Sequence, residues 1–414
     1  MNFPRPSRLA ALGSKDSVWV EFGALAEEHG AVKMGQGFPN WETPTFVKDA
    51  LVRAVQNDFN QYTRSQGHSR LVKKLAEVYS GRFGRPVDAM KEVFVGVGAS
   101  ETLMAAMHGL LEEDDEVILI EPFFDLYKPN VMLAGAKPVY VPLTFENDVF
   151  QLEMNKLRSA MTSRTRAIVL NSPNNPTGKV YSEKELKEIA TILKDFPRCL
   201  VITDEVYEHQ VYPPAKHVYA ASIPELAHKT LTVSSAGKTF SCTGWKIGWA
   251  IGDSQLINNI AFQHQWVSFT TPTPLQEAIA EALEVAETPF EGHQSYYEWL
   301  SSMYLKKRDL LVKCLTDAGL EAIIPPDGGF FVMANVENLF KHVPEKFYEG
   351  GVDADWALAR WLTVEAKVSA IPSSAFYCEE HKSHAKFLRF AFCKNDEDIE
   401  LCGSRLTSFL QRYK

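Results

Sequence analysis

One lysine in this chain stands where it can do covalent chemistry. Lys238 lies in the stretch Ser234-Ser235-Ala236-Gly237-Lys238-Thr239-Phe240-Ser241-Cys242-Thr243-Gly244-Trp245-Lys246-Ile247-Gly248-Trp249. The apolar run Leu231 to Val233 before it reads as a buried strand that delivers the lysine onto a turn of small residues. Desolvation there favours the neutral amine, which can attack a carbonyl and form a Schiff base. Ser235 precedes Lys238 by one helical turn and Lys246 follows it by eight residues, and a hydroxyl with a cation suits a dianionic phosphate. The Ser235-x-x-Lys238 spacing also occurs in serine acyl-transfer and β-lactamase-like sites, but those need Ser-Asp-Asn and Lys-Thr-Gly elements, and the chain has neither.

Other segments supply groups of the same kind. The run Leu200-Val201-Ile202-Thr203 ends in Asp204-Glu205-Val206-Tyr207. A strand-end acid either caps a helix or projects into a cleft, where it can keep a pyridine nitrogen protonated; Tyr207 can then reach a ring oxygen. Asn171-Ser172-Pro173-Asn174-Asn175-Pro176-Thr177-Gly178 is a stiff turn. It can aim Asn175 at that oxygen and at a substrate carboxylate. Val97-Gly98-Ala99-Ser100-Glu101-Thr102 joins a strand to a helix, whose free N–H groups and dipole favour a phosphate. The third glycine of a dinucleotide fingerprint is replaced by Glu101, so that motif fails. Phe123-Phe124 offers an aromatic either for the core or for stacking on a flat heterocycle. Arg389 sits in the apolar strand Phe387-Leu388-Arg389-Phe390-Ala391-Phe392, paired with an internal acid or held for a substrate α-carboxylate. A Schiff-base lysine beside a phosphate cradle and a ring-nitrogen acid is what pyridoxal 5'-phosphate needs.

The positioning elements follow from the apolar pattern. The runs Val93–Val97, Val117–Ile120, Pro138–Val141, Ala167–Leu170, Leu200–Thr203, Leu231–Val233 and Ile247–Ile251 alternate with helical segments. Near-continuous apolarity in each predicts burial on both faces, the mark of a parallel or mixed α/β sheet, and the seven runs are expected as one mainly parallel seven-stranded sheet. A capping box opens a helix from Ser182 to Leu193. A long helical stretch follows the Pro272/Pro274 break to about Ala318. Beyond it Gly328–Val332, Val368–Ile371 and Leu388–Phe392 read as strands of a smaller α+β lobe. The expected division is 1–44 as arm and part of the small domain, 45–300 as the large cofactor domain, and 301–414 as the small domain. Ligands of such sheets bind beyond the strand C-termini.

The 414 residues, 45% hydrophobic and 23% charged, suffice for a sizeable core. A net charge of −9 without a basic stripe argues against nucleic-acid and anionic-membrane partners. No run approaches a membrane span. Six cysteines, with no CxxC pair, imply neither a disulfide framework nor a metal site. Arg5, Arg8 and Lys15 faintly suggest mitochondrial targeting, but Pro4 and Pro6 break the helix it needs, and a cytoplasmic protein is expected. A transcriptional regulator on this fold would need an appended DNA-binding segment, and none is apparent.

In this order the motifs resemble the fold-type I pyridoxal-phosphate aminotransferases over essentially the whole chain, and among them the kynurenine aminotransferase group, also described as glutamine transaminase K and cysteine-conjugate β-lyase. Gly35-Gln36-Gly37-Phe38-Pro39, Asn60-Gln61-Tyr62 and Ile120-Glu121-Pro122-Phe123-Phe124-Asp125 carry the resemblance with the stretches above. It implies Lys238 as the Schiff-base lysine and Asp204 as the pyridinium partner. Asn175 and Tyr207 would contact the 3-oxygen, and Phe124 would stack on the ring. Ala99, Ser100, Ser235 and Lys246 would surround the phosphate, joined by Tyr62 of the other subunit of a homodimer. Arg389, Asn175 and the Gly37 backbone would bind the substrate carboxylate, and Trp19 would border the substrate. Where the vertebrate enzymes carry Gly-Tyr and Phe-His, this chain has Ala99-Ser100 and, in the partner-subunit loop, Phe269-Thr270. The implied activity moves the amino group of kynurenine and other neutral aromatic or sulfur-containing amino acids (glutamine, methionine, phenylalanine) to a 2-oxo acid. Methionine/aromatic or alanine/aspartate-type transamination is the alternative.

Overall fold

A computed structural model describes residues 5–12, 17–146 and 149–413. Pro4 and Lys15 lie outside them. The apolar runs form β1 (Val93–Val97), β2 (Glu116–Glu121), β3 (Lys137–Pro142), β4 (Thr165–Asn171), β5 (Leu200–Asp204), β6 (Thr230–Ser235) and β7 (Ile247–Ile251). They build one seven-stranded sheet in the order β1-β7-β6-β5-β4-β2-β3. β7 is antiparallel to both neighbours, and the pairs from β6 to β3 are all parallel. The register sets Asn171 beside Asp204 at the C-terminal ends of β4 and β5, so the two chemistry-bearing turns leave the sheet side by side.

Burial on both faces holds for the central strands β2, β5, β6 and β7. It fails for β3, where Val141 alone is fully buried. That strand is the sheet edge, and Pro138 and Pro142 suit a position that needs few ladder donors. The capping box at Ser182 opens the helix Glu183–Ile192. The long stretch after Pro272 is two helices, Thr273–Ala286 and Tyr296–Asp317. Pro289 disfavours helix at Thr288, and Glu291 and Gly292 then take positive φ, reversing the chain.

A second sheet holds β8 (Glu321–Ile324), β9 (Phe331–Asn335), β10 (Ile371–Pro372) and β11 (Phe387–Ala391), antiparallel in the order β8-β9-β11-β10. The expected strands from Gly328 and from Val368 are shifted, and β8 was not legible because Glu321 and the bulge beside it interrupt the pattern. The N-terminal segment packs on this part of the chain. Val32 pairs parallel with Val368, and Phe22 shares a core with Leu358, Trp361 and Phe390.

Below the ends of β5 and β6 lies a buried carboxylate. Glu208 accepts hydrogen bonds from Tyr79 Oη at 2.6 Å, Ser234 Oγ at 2.6 Å, Tyr219 Oη at 2.7 Å and Arg82 Nη1 at 2.5 Å. Burial alone would raise its pKa, but Arg82 and the hydroxyl donors bring it down to about 2. Its stabilising contribution is therefore present above the ordinary carboxylate pKa of 4.5 and is lost as pH falls towards about 2. Glu208→Ala should cost about 3–5 kcal/mol in urea unfolding, because it strands Arg82 as a buried charge. Glu208→Gln should lack this part of the acid sensitivity, and acid limbs identical to wild type would contradict the assignment.

Candidate active site

The strand ends open into a cavity of about 400 Å³ lined by Trp19, Gly37, Ala99, Ser100, Phe124, Asn175, Asp204, Tyr207, Ser235, Lys238, Lys246 and Arg389, among others. Twelve of the sequence-derived site residues thus share one space. Ser235 ends β6 and caps a four-residue helix, Ala236–Thr239, which lifts Lys238 into the cavity. Gln210 Nε2 donates to the Lys238 carbonyl at 2.8 Å, and Lys238 Nζ donates to the Gly37 carbonyl at 2.8 Å. Burial lowers the amine from 10.5 to about 8, with Arg389 and Lys246 acting in the same direction.

Asp204 faces the cavity from the end of β5. Tyr127 Oη donates to its Oδ2 at 2.7 Å, and the Val206 amide approaches Oδ1 at 3.3 Å. Burial raises its pKa to about 6 despite these donors and Lys238. A cation placed against it would favour the carboxylate form. Asn171 Oδ1 accepts from the Asn175 amide at 2.6 Å and its Nδ2 donates to the Asp204 carbonyl at 2.8 Å, so the two turns are stitched together.

At the other end, the helix Gly98–Leu110 points its N-terminus into the cavity. Its close seat on β7 depends on Gly248, where a Cβ would lie 2.3 Å from the Ala99 nitrogen. Lys246 Nζ lies 3.4 Å from Ser100 Oγ. A Cβ on Gly98, which has φ +75°, would sit 3.1 Å from the same Nζ. Free amides, two hydroxyls (Ser100, Ser235) and an ammonium form an anion cradle.

Arg389, on β11, is completely buried, yet its hydrogen bonds go to neutral oxygens. Nη1 donates to Asn175 Oδ1 at 2.8 Å and Nη2 to the Gly35 carbonyl at 2.5 Å, while Nε has no partner among the described residues. The internal acid considered from sequence makes no ion pair with Arg389 among the described residues: Asp125 acts on the guanidinium only through its field, and aromatic faces cover it. The guanidinium carbon lies 3.9 Å from the Phe331 ring centre and 4.9 Å from that of Trp19. Burial lowers its pKa to about 10. Trp19 is fixed by its Nε1 donating to Asp125 Oδ2 at 2.7 Å.

The segment Gly35-Gln36-Gly37-Phe38 spans both cations. Besides Gly35 and Gly37, the carbonyls of Gln36 and Phe38 accept from Lys394 Nζ at 2.9 and 2.8 Å. The glycines are there for space: a Cβ would meet Ile371 at 2.9 Å from Gly35 and Phe331 at 2.8 Å from Gly37.

Three sequence-derived residues lie elsewhere. Tyr62 is 82% exposed, Phe269 is half exposed, and their rings meet edge-on at 5.3 Å. Thr270 Oγ1 faces the Arg64 carbonyl at 3.4 Å. None of the three lines this chain's own cavity. Conversely, sequence reasoning missed Tyr127, Phe331, Asp125 and Lys394. Lys394, closely following Arg389 beyond an apolar strand, was the one with a signal, since a second buried cation near the first demands acceptors.

The sequence matches the family described as aminotransferase class I and II over residues 30–405. Kynurenine--oxoglutarate transaminase of Dictyostelium discoideum is 46% identical, the alignment covering 94% of this chain and 93% of that protein. Kynurenine--oxoglutarate transaminase 3 of Homo sapiens is 40% identical, with 97% and 89% covered. Among solved structures, a candidate kynurenine aminotransferase from Saccharomyces cerevisiae is 31% identical with a TM-score of 0.92, covering 100% of both chains. The seven-stranded sheet, its smaller companion and the cavity between them are thus fold-type I architecture, and the chain belongs to the aminotransferase class I and II family.

Proposed function

We propose that the chain transaminates kynurenine and other neutral aromatic or sulfur-containing amino acids, glutamine, methionine and phenylalanine among them, with a 2-oxo acid as acceptor and pyridoxal phosphate as cofactor. The observation that carries this reading is Arg389: a buried guanidinium that makes no ion pair among the described residues, facing the same cavity as a desolvated lysine. A substrate α-carboxylate supplies the missing anion and the bidentate acceptor. The charged residues lining the cavity are Asp204, Lys238, Lys246 and Arg389. With Lys246 in the anion cradle and Lys238 reactive, no further cation lines it for a side-chain carboxylate, which favours neutral side chains over aspartate-type substrates.

The residues fit the cofactor. The anion cradle, where Gly98 takes φ +75° beside Lys246, matches a phosphate, and Asp204 with its raised pKa matches a ring nitrogen that carries a proton. Lys238 would hold the group covalently, Tyr207 and Asn175 would contact its 3-oxygen, and Phe124 would cover its ring. Ala99, Ser100, Ser235 and Lys246 would hold the phosphate. When bound, it supplies an electron-withdrawing ring that stabilises negative charge at the substrate Cα. Lys238 Nζ, once free of the group, would be the base placed to take the substrate Cα proton and give it back; a pKa near 8 suits both directions. Arg389, Asn175 and the Gly37 backbone orient the carboxylate. A cysteine S-conjugate would lose its thiolate from Cβ after the same proton removal, giving a β-lyase side activity.

Tyr62, Phe269 and Thr270 complete the site of a second copy in this reading, so the working form is a homodimer. The exposure of Tyr62 and Phe269 on the single chain supports it, as do exposed Phe262 and Trp266 on the helix Ser254–Val267 that leads to Phe269. We place the protein in the cytoplasm, a compartment that agrees with its six free cysteines.

Two outcomes are expected. Capture of pyridoxal phosphate by the cofactor-free protein, followed by absorbance, should accelerate as pH rises through about 8 and then level off, because the neutral amine attacks. A rate still climbing near pH 10, the ordinary lysine range, would contradict a desolvated Lys238. In half-reactions with kynurenine, phenylalanine, methionine, glutamine and aspartate, aspartate should be the poorest donor. Arg389→Ala should lower kcat/KM for the good donors by about a hundredfold or more, since truncating one partner of a buried charge pair costs about 2–5 kcal/mol. Arg389→Lys should recover part of that. Aspartate as best donor, or an unaffected Arg389→Ala, would refute the reading.

A further inference from the structure

We propose that Glu121, Cys378 and His381 form a binding site for a zinc-class divalent cation, distinct from the catalytic cavity. Glu121 ends β2 and is fully buried. Cys378 stands at the N-cap position of the short 3-10 helix Glu379–His384, which carries His381. One ligand atom from each of the three lies within 4.8 Å of the others, and Cys378 Sγ is 3.5 Å from His381 Nδ1. The Glu121 carboxylate already gathers the other two, accepting from His381 Nδ1 and from the Cys378 amide.

The chemistry of the donors selects the ion. Thiolate, imidazole and carboxylate are the three donor types of tetrahedral zinc sites, with water in the fourth position. Magnesium and calcium need shells of oxygen, which this cluster does not offer. A thiolate and a carboxylate also neutralise a dication, the condition for keeping the ion in a largely buried place. Binding releases the thiol proton to solvent, and the imidazole carries its proton on Nε2 while Nδ1 takes the metal. The Cys378 amide, held to the second Glu121 oxygen, remains as outer support for the carboxylate. The pattern hides in the sequence because the short Cys378-x-x-His381 chelate finds its acid 257 residues earlier.

The site has a structural consequence. Beside it the Phe123 amide donates to the Phe376 carbonyl at 3.0 Å, and the Phe376 ring stands 5.2 Å from the Arg389 guanidinium carbon. A bound cation would fasten the turn that carries Phe124 and Asp125 to the segment that covers Arg389.

Holoenzyme freed of metal with a chelator, then dialysed against micromolar Zn²⁺, tests this by metal analysis and thermal melting. The wild type should retain one zinc per chain and melt at a higher temperature with zinc than without. Cys378→Ser and His381→Ala should each weaken zinc binding by more than the roughly 10–100-fold that loss of a mere outer partner of a ligand costs, and abolish the melting shift. Mg²⁺ should not compete. Zinc bound equally by wild type and both variants would place the metal elsewhere, on the cofactor or surface histidines. That result, or a wild type that retains no zinc, would overturn the proposal. Transamination in the metal-free enzyme is independent of this outcome.

Discussion

The site depends on keeping two cationic side chains out of water. Arg389 is completely buried and Lys238 is part-buried on one cavity, and desolvation lowers both pKa values, that of Lys238 to about 8 and that of Arg389 to about 10. Neither makes an ion pair with a carboxylate among the described residues. Their contacts are backbone and amide oxygens and aromatic faces, which solvate a cation without cancelling its charge. An acid against Arg389 would stabilise the folded chain and occupy the place an anionic substrate needs. An acid against Lys238 would hold it protonated and unreactive. The fold therefore supplies dipoles where charges would be easier.

That solvation comes largely from one short piece of backbone. Carbonyls from Gly35 to Phe38 serve Arg389, Lys238 and Lys394. The segment can pass between the sheets because Gly35 and Gly37 carry no side chain to meet Ile371 and Phe331. From the large sheet, β5 and β6 present Asp204 and the turn to Lys238, and β4 presents the turn to Asn175. From the small sheet, β11 presents Arg389. Asn175 and Arg389 join across the gap at 2.8 Å, so the pair proposed to hold the substrate carboxylate also ties one sheet to the other.

Much of this was legible in the residue order. An apolar run that ends in a polar or charged residue marks a parallel strand and its functional end together, which is why Asp204, Lys238 and Asn175 could be placed from sequence. Gly98-Ala99-Ser100 was equally readable, as a strand-to-helix turn with no bulky side chain. What escaped were contacts set by tertiary approach: Tyr127 on Asp204, Asp125 on Trp19 and the ring of Phe331 under Arg389. Each joins residues with no periodicity relating them. The exposed edge at β3 and the break after Ala286 were misjudged for a related reason. Local apolarity does not reveal which strand lies outermost, and helical periodicity resumes on both sides of Pro289.

The central claim is that burial makes Lys238, of all the lysines in the chain, the one that reacts with a carbonyl. Borohydride reduction of the protein loaded with pyridoxal phosphate, followed by proteolysis and mass spectrometry, tests it directly. The account predicts the pyridoxyl mass on Lys238 and bleaching of the yellow absorption. A label recovered instead on Lys246 or on any surface lysine would contradict it.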